Sequence, residues 1–143
     1  MGMMVQDKGC KNVLDAWLNN SRPAGGNSLS LRLFTNNITP ARGDTTATYT
    51  EAAGGGYAAK SLAAGSWTNT LGVGVPSDGS YAQQTWTFTG ALTGNAIIYG
   101  YHLVDADGFI VCSEKLAASF QPQANGDQLS ITPKIQMSQG TPA

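Results

Sequence analysis

His102 is the only histidine in the chain, and it sits between Tyr101 and Leu103 in an apolar stretch. A hydrolase triad needs a nucleophile, a base matched to it and an acid that orients the base. Asp105 is close in sequence, but a lone histidine in an apolar strand is more often packed than catalytic. Asp105-Ala106-Asp107-Gly108 brings two carboxylates together. Calcium takes roughly six to eight oxygens, and Asp and Gly are what a tight loop wants, so the segment reads as a turn. Trp67, Trp86 and Tyr57 are ring surfaces on which a sugar can stack, although core packing is the commoner use of such rings. Arg42-Gly43-Asp44 spells an adhesion tripeptide and reads instead as a loop in which Asp44 caps a helical turn over Thr45–Ala52.

The remaining motifs are weaker. Gly72-Val73-Gly74 lacks the third glycine and the strand–helix setting of a dinucleotide loop. Asn19-Asn20-Ser21 and Asn37-Ile38-Thr39 fit the glycosylation pattern, which has meaning only in a secreted protein. Cys10 and Cys112 are too far apart for a zinc motif and are read as free thiols, one buried in a strand. The expectation is therefore a protein that is not an enzyme, with no catalytic, cofactor or metal site.

The elements that would carry these residues alternate with a period of two. Leu29, Leu31 and Leu33 alternate with Ser30 and Arg32 over Ser28–Thr35, the pattern of a half-buried strand. Gln84–Thr89 repeats the pattern with Trp86 and Phe88. Ile97–Val104 and Phe109–Glu114 flank the four-residue turn and form the dominant hairpin. Weaker strands are expected over Tyr57–Leu62 and Trp67–Val75, with Pro76-Ser77-Asp78-Gly79 as a turn. A last strand runs from Gln128 to Gln136, where Pro133 demands an edge or a bulge. Leu31, Leu33, Trp86, Phe88, Leu103 and Ile110 are the expected core.

Ahead of the first strand, Lys11–Asn20 reads as one short helix with Val13, Leu14, Trp17 and Leu18 on one face. That face either caps an end of the β domain or docks on a neighbouring subunit, so these four residues are the candidate assembly contacts. The organisation expected is residues 1–27 as a helix or arm, 28–137 as the β domain and 138–143 as a loose tail. The fold class is all-β: an antiparallel β-sandwich, jelly-roll-like, with a short N-terminal helix.

Composition narrows the partners. Of 143 residues, 41% are hydrophobic but only 12% charged, about half the usual share, and the formal net charge is −1. A nucleic-acid binder would need a basic patch, and no apolar run reaches the roughly 18 residues of a membrane span. The first residues show no apolar run after a basic start, so a signal peptide is not expected. A polar, lightly charged surface suits assembly, because hydroxyls and amides are cheaper to desolvate than ions.

An ordered set of segments adds a family. These are Leu33-Phe34-Thr35-Asn36-Asn37-Ile38-Thr39-Pro40, Tyr49-Thr50-Glu51-Ala52, Gly56-Tyr57-Ala58 and Trp86-Thr87-Phe88-Thr89. Ile98-Tyr99-Gly100-Tyr101, Asp105-Ala106-Asp107-Gly108 and Gly126-Asp127-Gln128-Leu129-Ser130-Ile131-Thr132-Pro133 complete it. In order and spacing the set resembles small structural proteins of tailed-bacteriophage virions, over roughly residues 28–137. The resemblance implies a virion component with a jelly-roll-like β domain, made in the bacterial host cytoplasm, and implies no catalytic residue. A capsid decoration (cement) protein, bound as a homotrimer to the major capsid protein or another virion protein, is the expected role. A tail or baseplate protein and a carbohydrate-binding module are the alternatives. The chain departs from the pattern at Gly54-Gly55-Gly56, where a bulkier residue is expected to lead into the strand.

Overall fold

The computed structural model describes residues 3–18, 28–72 and 77–137, without the side chains of residues 4, 8, 11, 14, 15 and 17. Its strands are β1 (Met4–Val5), β2 (Leu29–Phe34), β3 (Lys60–Leu62), β4 (Thr68–Thr70) and β5 (Ser77–Ser80). They continue with β6 (Gln84–Thr87), β7 (Ile98–Val104), β8 (Ile110–Phe120), β9 (Gln128–Ile131) and β10 (Lys134–Met137). One α-helix, α1 (Asp7–Leu18), lies between β1 and β2. The pairings between strands are antiparallel, in sheets of order β1-β8-β7-β2-β3, β10-β5-β4 and β6-β9. The molecule is an all-β sandwich.

Alternation in β2 sets the layers. Leu31 stands opposite Leu103, and Leu103 opposite Cys112, so all three share one face of the five-stranded sheet. That face packs on Trp86, Phe88, Leu92 and Ile131 from the other side of the sandwich. The six expected core residues are all buried. On the reverse face, Arg32 opposes His102 and His102 opposes Ser113. There a smaller apolar cluster of Phe34, Tyr49, Val104 and Ile110 forms under the segment 35–51. Gly100 on β7 makes room for it: a Cβ there would collide with the Phe34 ring and the Glu114 carbonyl.

Several expectations are corrected. Ahead of the helix, β1 adds to the edge of the main sheet beside β8, and Met3 bridges Ile135 in parallel. The helix starts four residues before the expected Lys11 and packs on β8, with Gly9 close against the Val111 carbonyl. Asp7 in its first turn suits the positive end of the helix dipole. Ser77-Asp78-Gly79 is strand, not turn, because β4 and β10 pair with it on both sides. β8 continues past Glu114 to Phe120, since Gly100 on β7 pairs with Lys115 and, beyond a bulge, Ile98 with Phe120. The single last strand is two: β9 pairs with β6 and β10 with β5, and buried Pro133 marks the switch between sheets.

Gly54-Gly55-Gly56 has a local reason. All three residues have positive φ, at 78°, 56° and 77°, where a side chain is strained. The turn also presses on residues 89–93, and a Cβ on Gly55 would lie 2.6 Å from the Gly90 carbonyl oxygen.

Candidate functional site

The chemistry-bearing residues gather at two places: a buried polar layer on the reverse face of the main sheet, and a surface groove where α1 meets the β10-β5-β4 sheet.

In the polar layer, His102 and Ser113 face each other on neighbouring strands, and both are buried. Ser113 Oγ accepts from the Gln6 side-chain amide and lies 2.9 Å from the Tyr49 hydroxyl. The Tyr49 hydroxyl lies 2.7 Å from Asp44 Oδ2. An ionised carboxylate only accepts, so the single phenol proton goes to Asp44 and Ser113 donates to the Tyr49 oxygen. The protons therefore run in one direction, from Gln6 through Ser113 and Tyr49 to Asp44. Burial first, and the Asp44 carboxylate after it, push the Tyr49 hydroxyl well above the usual phenol range.

That arrangement does not make a nucleophile. The Ser113 proton is committed to Tyr49, and Ser113 is fully inaccessible. His102 is only 3% exposed and stacks on Tyr49 with ring centroids 4.9 Å apart. Desolvation, then the nearby Arg32 guanidinium, hold its imidazole down to about 4, so it is neutral at physiological pH. Its Nδ1 and Gln6 Oε1 are buried without a hydrogen-bond partner among the described residues. The pair is a packed polar layer.

The loops are equally occupied. Asp105 Oδ1 accepts from the Asp107 and Phe109 amides at 3.0 and 2.9 Å, and Asp105 Oδ2 accepts from Asn12 at 3.1 Å. This is a carboxylate closing a turn and anchoring α1 to it. Among the described residues no cluster of His, Cys, Asp and Glu could hold a metal. In Arg42-Gly43-Asp44 the guanidinium donates to Asp7 Oδ1 at 2.8 and 3.1 Å. Asp44 accepts from the Ala41 amide at 2.7 Å and from Tyr49. Asp44 thus closes the loop and orients Tyr49; the expected capping bond to the turn at Thr46–Thr48 is not made. Both ends of the tripeptide are tied down.

The rings are also engaged. Tyr57 stacks on Trp86, receives the Leu33 amide at 3.2 Å and donates to Glu51 at 3.0 Å. The Trp86 indole donates to the Ala58 carbonyl at 2.8 Å, and Trp67 meets Tyr81 edge-on. Cys10 is exposed and Cys112 buried, both as free thiols. Burial, then the proximity of Cys10, push the Cys112 thiol up to about 12, which keeps it unreactive. Asn37 of the glycosylation-like triplet accepts from Lys115 at 2.6 Å. Val73, Gly74 and the triplet at residues 19–21 lie outside the described residues.

The groove is a surface feature with room for another molecule. It has a volume of about 800 Å³ and is lined by Val13, Trp67, Asn69, Leu71, Ile135 and Met137, among others. Asn69, Gly79 and Ile135 stand in one row across β4, β5 and β10, and the bare Gly79 gives the floor its depth. Leu71 is 81% exposed, Met137 53% and Val13 45%. Asp78, also in the lining, is paired with Lys134 at 2.7 Å and accepts from the Gln136 amide at 2.9 Å. Of the four helix residues singled out from the sequence, Val13 lines the groove and Leu18 is exposed. The side chains of Leu14 and Trp17 lie outside the described residues. Leu71, Ile135 and Met137 were not legible as contacts, because three short strands had to be paired before they met.

No protein-family model, no curated protein and no solved structure matches the chain.

Proposed function

We propose that the chain is a structural component of a tailed-phage virion, a decoration protein seated on the outer face of the head. Its work is contact, not chemistry. The observation that carries this reading is the grouping of Val13, Leu71 and Met137, three exposed apolar side chains, around one groove whose carboxylate, Asp78, is paired with Lys134. Isolated exposed apolar residues are ordinary on a surface, whereas several around one depression mark a place where another protein sits. Beside them β4 is an edge of a three-stranded sheet among the described residues, with Thr68, Asn69 and Thr70 all exposed. An unprotected edge invites a further strand.

The resemblance to small phage virion proteins supplies the setting, and its segments fall on the framework strands and the loops that join them. In this reading three copies close around a lattice threefold, in contact with the major capsid protein. Many weak neutral contacts, repeated by symmetry, then hold the shell. A tail or baseplate protein would use the same groove, and the position of the chain in a cryo-EM map of intact particles separates the two. A carbohydrate-binding module finds less support, because Trp86 and Tyr57 are packed on each other and Trp67, although it lines the groove, meets Tyr81 edge-on, so the three rings form no common platform.

The test is the double variant Leu71→Asp and Met137→Asp, assayed by solution mass and by occupancy on undecorated heads. Two carboxylates in the groove are expected to reduce both while the circular dichroism spectrum stays that of the wild type. Full occupancy with unchanged mass would remove the groove from assembly. A wild-type chain that never associates with particles would end the virion reading.

A further inference from the structure

We propose that the segment 35–51 is an acid-released cover: protonation of His102 beneath it unlatches it from the main sheet. The proposal stands apart from the assembly reading and uses none of the groove residues.

The geometry makes the cover a separable layer. The main core lies on the opposite face of the sheet, and the cover buries only the small cluster of Phe34, Tyr49, Val104 and Ile110. Its root is held by the Thr35 amide to the Thr50 carbonyl at 2.8 Å, and by Asn36, which donates to Thr48 and accepts from the Thr50 amide at 2.8 Å each. Its far end is held by the exposed pair of Arg42 with Asp7 and by the Asp7 amide, which donates to the Arg42 carbonyl at 3.2 Å. At its centre Tyr49 lies flat on His102 and reaches Ser113. Glu51 is also tied to Arg32 and Tyr57, and Asn37 to Lys115, so lifting the cover breaks a defined set of polar contacts at its rim and brings His102 into water.

The surroundings of His102 do not welcome a second charge. Arg32 of β2 stands directly opposite it, paired with Glu51 at 3.0 Å. From β8, Ser113 is neutral, and Lys115, next on that face, brings a further cation that reaches Asn37. The N-terminal segment presents the neutral Gln6. From the cover, the Asp44 carboxylate is already engaged by Tyr49 and the Ala41 amide. Nδ1 has no acceptor among the described residues. A charged imidazole is thus disfavoured under the cover and unhindered once it lifts. The imidazole is held down to about 4 when covered, against an ordinary value of 6.5. The open population therefore rises about tenfold per pH unit below 6.5, to about 300-fold below 4.

Amide hydrogen exchange read by NMR tests this, with each rate corrected for the intrinsic pH dependence of exchange. Between pH 7 and pH 4.5 the Thr35 and Thr50 amides are expected to lose roughly 50-fold in protection. The Phe88 amide, bonded to Asp127 across the sandwich at 2.8 Å, is expected to hold. In His102→Gln the two cover amides should no longer respond to pH. Equal loss at Phe88, an unchanged cover in the wild type, or the same response in His102→Gln would each overturn the proposal. Titration of the His102 ring itself, which needs no variant, supports the proposal if it titrates well below 6 and overturns it if it titrates near 6.5.

Discussion

Ser113, with His102 opposite, Gln6 beside it and Tyr49 above, is the residue on which the reverse face depends. Its oxygen accepts one proton and its own proton satisfies Tyr49, so removing either partner strands a buried group. An unsatisfied buried hydroxyl costs about 1–3 kcal/mol. Tyr49→Phe is expected to destabilise the protein by that amount, read as a lower urea midpoint with an unchanged slope. His102 adds a pH dependence of known sign. Its folded-state value, about 4, lies below the unfolded 6.5, so the unfolded chain binds the proton more tightly. The related stability is fully present above pH 6.5 and is lost as pH falls toward 4, by about 3 kcal/mol in all. Urea melts at pH 7 and pH 4, on the wild type and His102→Gln, check this: the variant should lose markedly less.

At the scale of elements, tight places are set by glycine and proline. Gly100 lies where β7 passes between the Phe34 ring and the Glu114 carbonyl, and nothing there can yield to a methyl group except the ring of a fully buried phenylalanine. Gly100→Ala is expected to cost about 1–3 kcal/mol, the usual penalty for overpacking. Gly55→Ala combines positive φ with a backbone carbonyl 2.6 Å from the new Cβ, and should cost at least about 1 kcal/mol. Thermal melts of the two variants test both claims, and an exposed control such as Gly43→Ala, with open space around it, should change little. Pro133 acts differently. It cannot donate to a ladder, so the strand run breaks there, and its carbonyl receives the Tyr81 amide at 2.9 Å as the chain changes sheets.

For the whole molecule, the two faces of the main sheet differ in kind. One is apolar and continuous, from Leu31 and Leu103 to Trp86, Phe88 and Ile131. The other mixes a small apolar cluster with four buried polar residues, Gln6, His102, Asp105 and Ser113, near or on it. The first should therefore dominate global stability. Phe88→Ala is expected to cost about 3–5 kcal/mol, more than any single change under the cover. Denaturant titration of Phe88→Ala beside Tyr49→Phe measures the contrast, and equal losses would mean the reverse face is no separate layer.

What the sequence determined by itself was whatever depends on near neighbours along the chain. The period-two leucines of β2, the β6 alternation and the hairpin at Asp105–Gly108 each carry their own signal, because side chains two apart share a face and Asp and Gly close tight turns. They were enough for the all-β fold and for six buried core residues. Short strands without alternation were not legible. Ser77–Ser80 is made of turn-forming residues and becomes strand only because β4 and β10 flank it. Likewise Ala117 and Ala118 are weak strand formers, carried on β8 by the pairing of Phe120 with Ile98. The polar layer was out of reach for the same reason: Gln6, Tyr49, His102 and Ser113 come from four separate stretches. The groove joins α1 to strands more than fifty residues away. Pairing over such distances is decided by which faces can be buried together, and that is a property of the folded chain rather than of any segment.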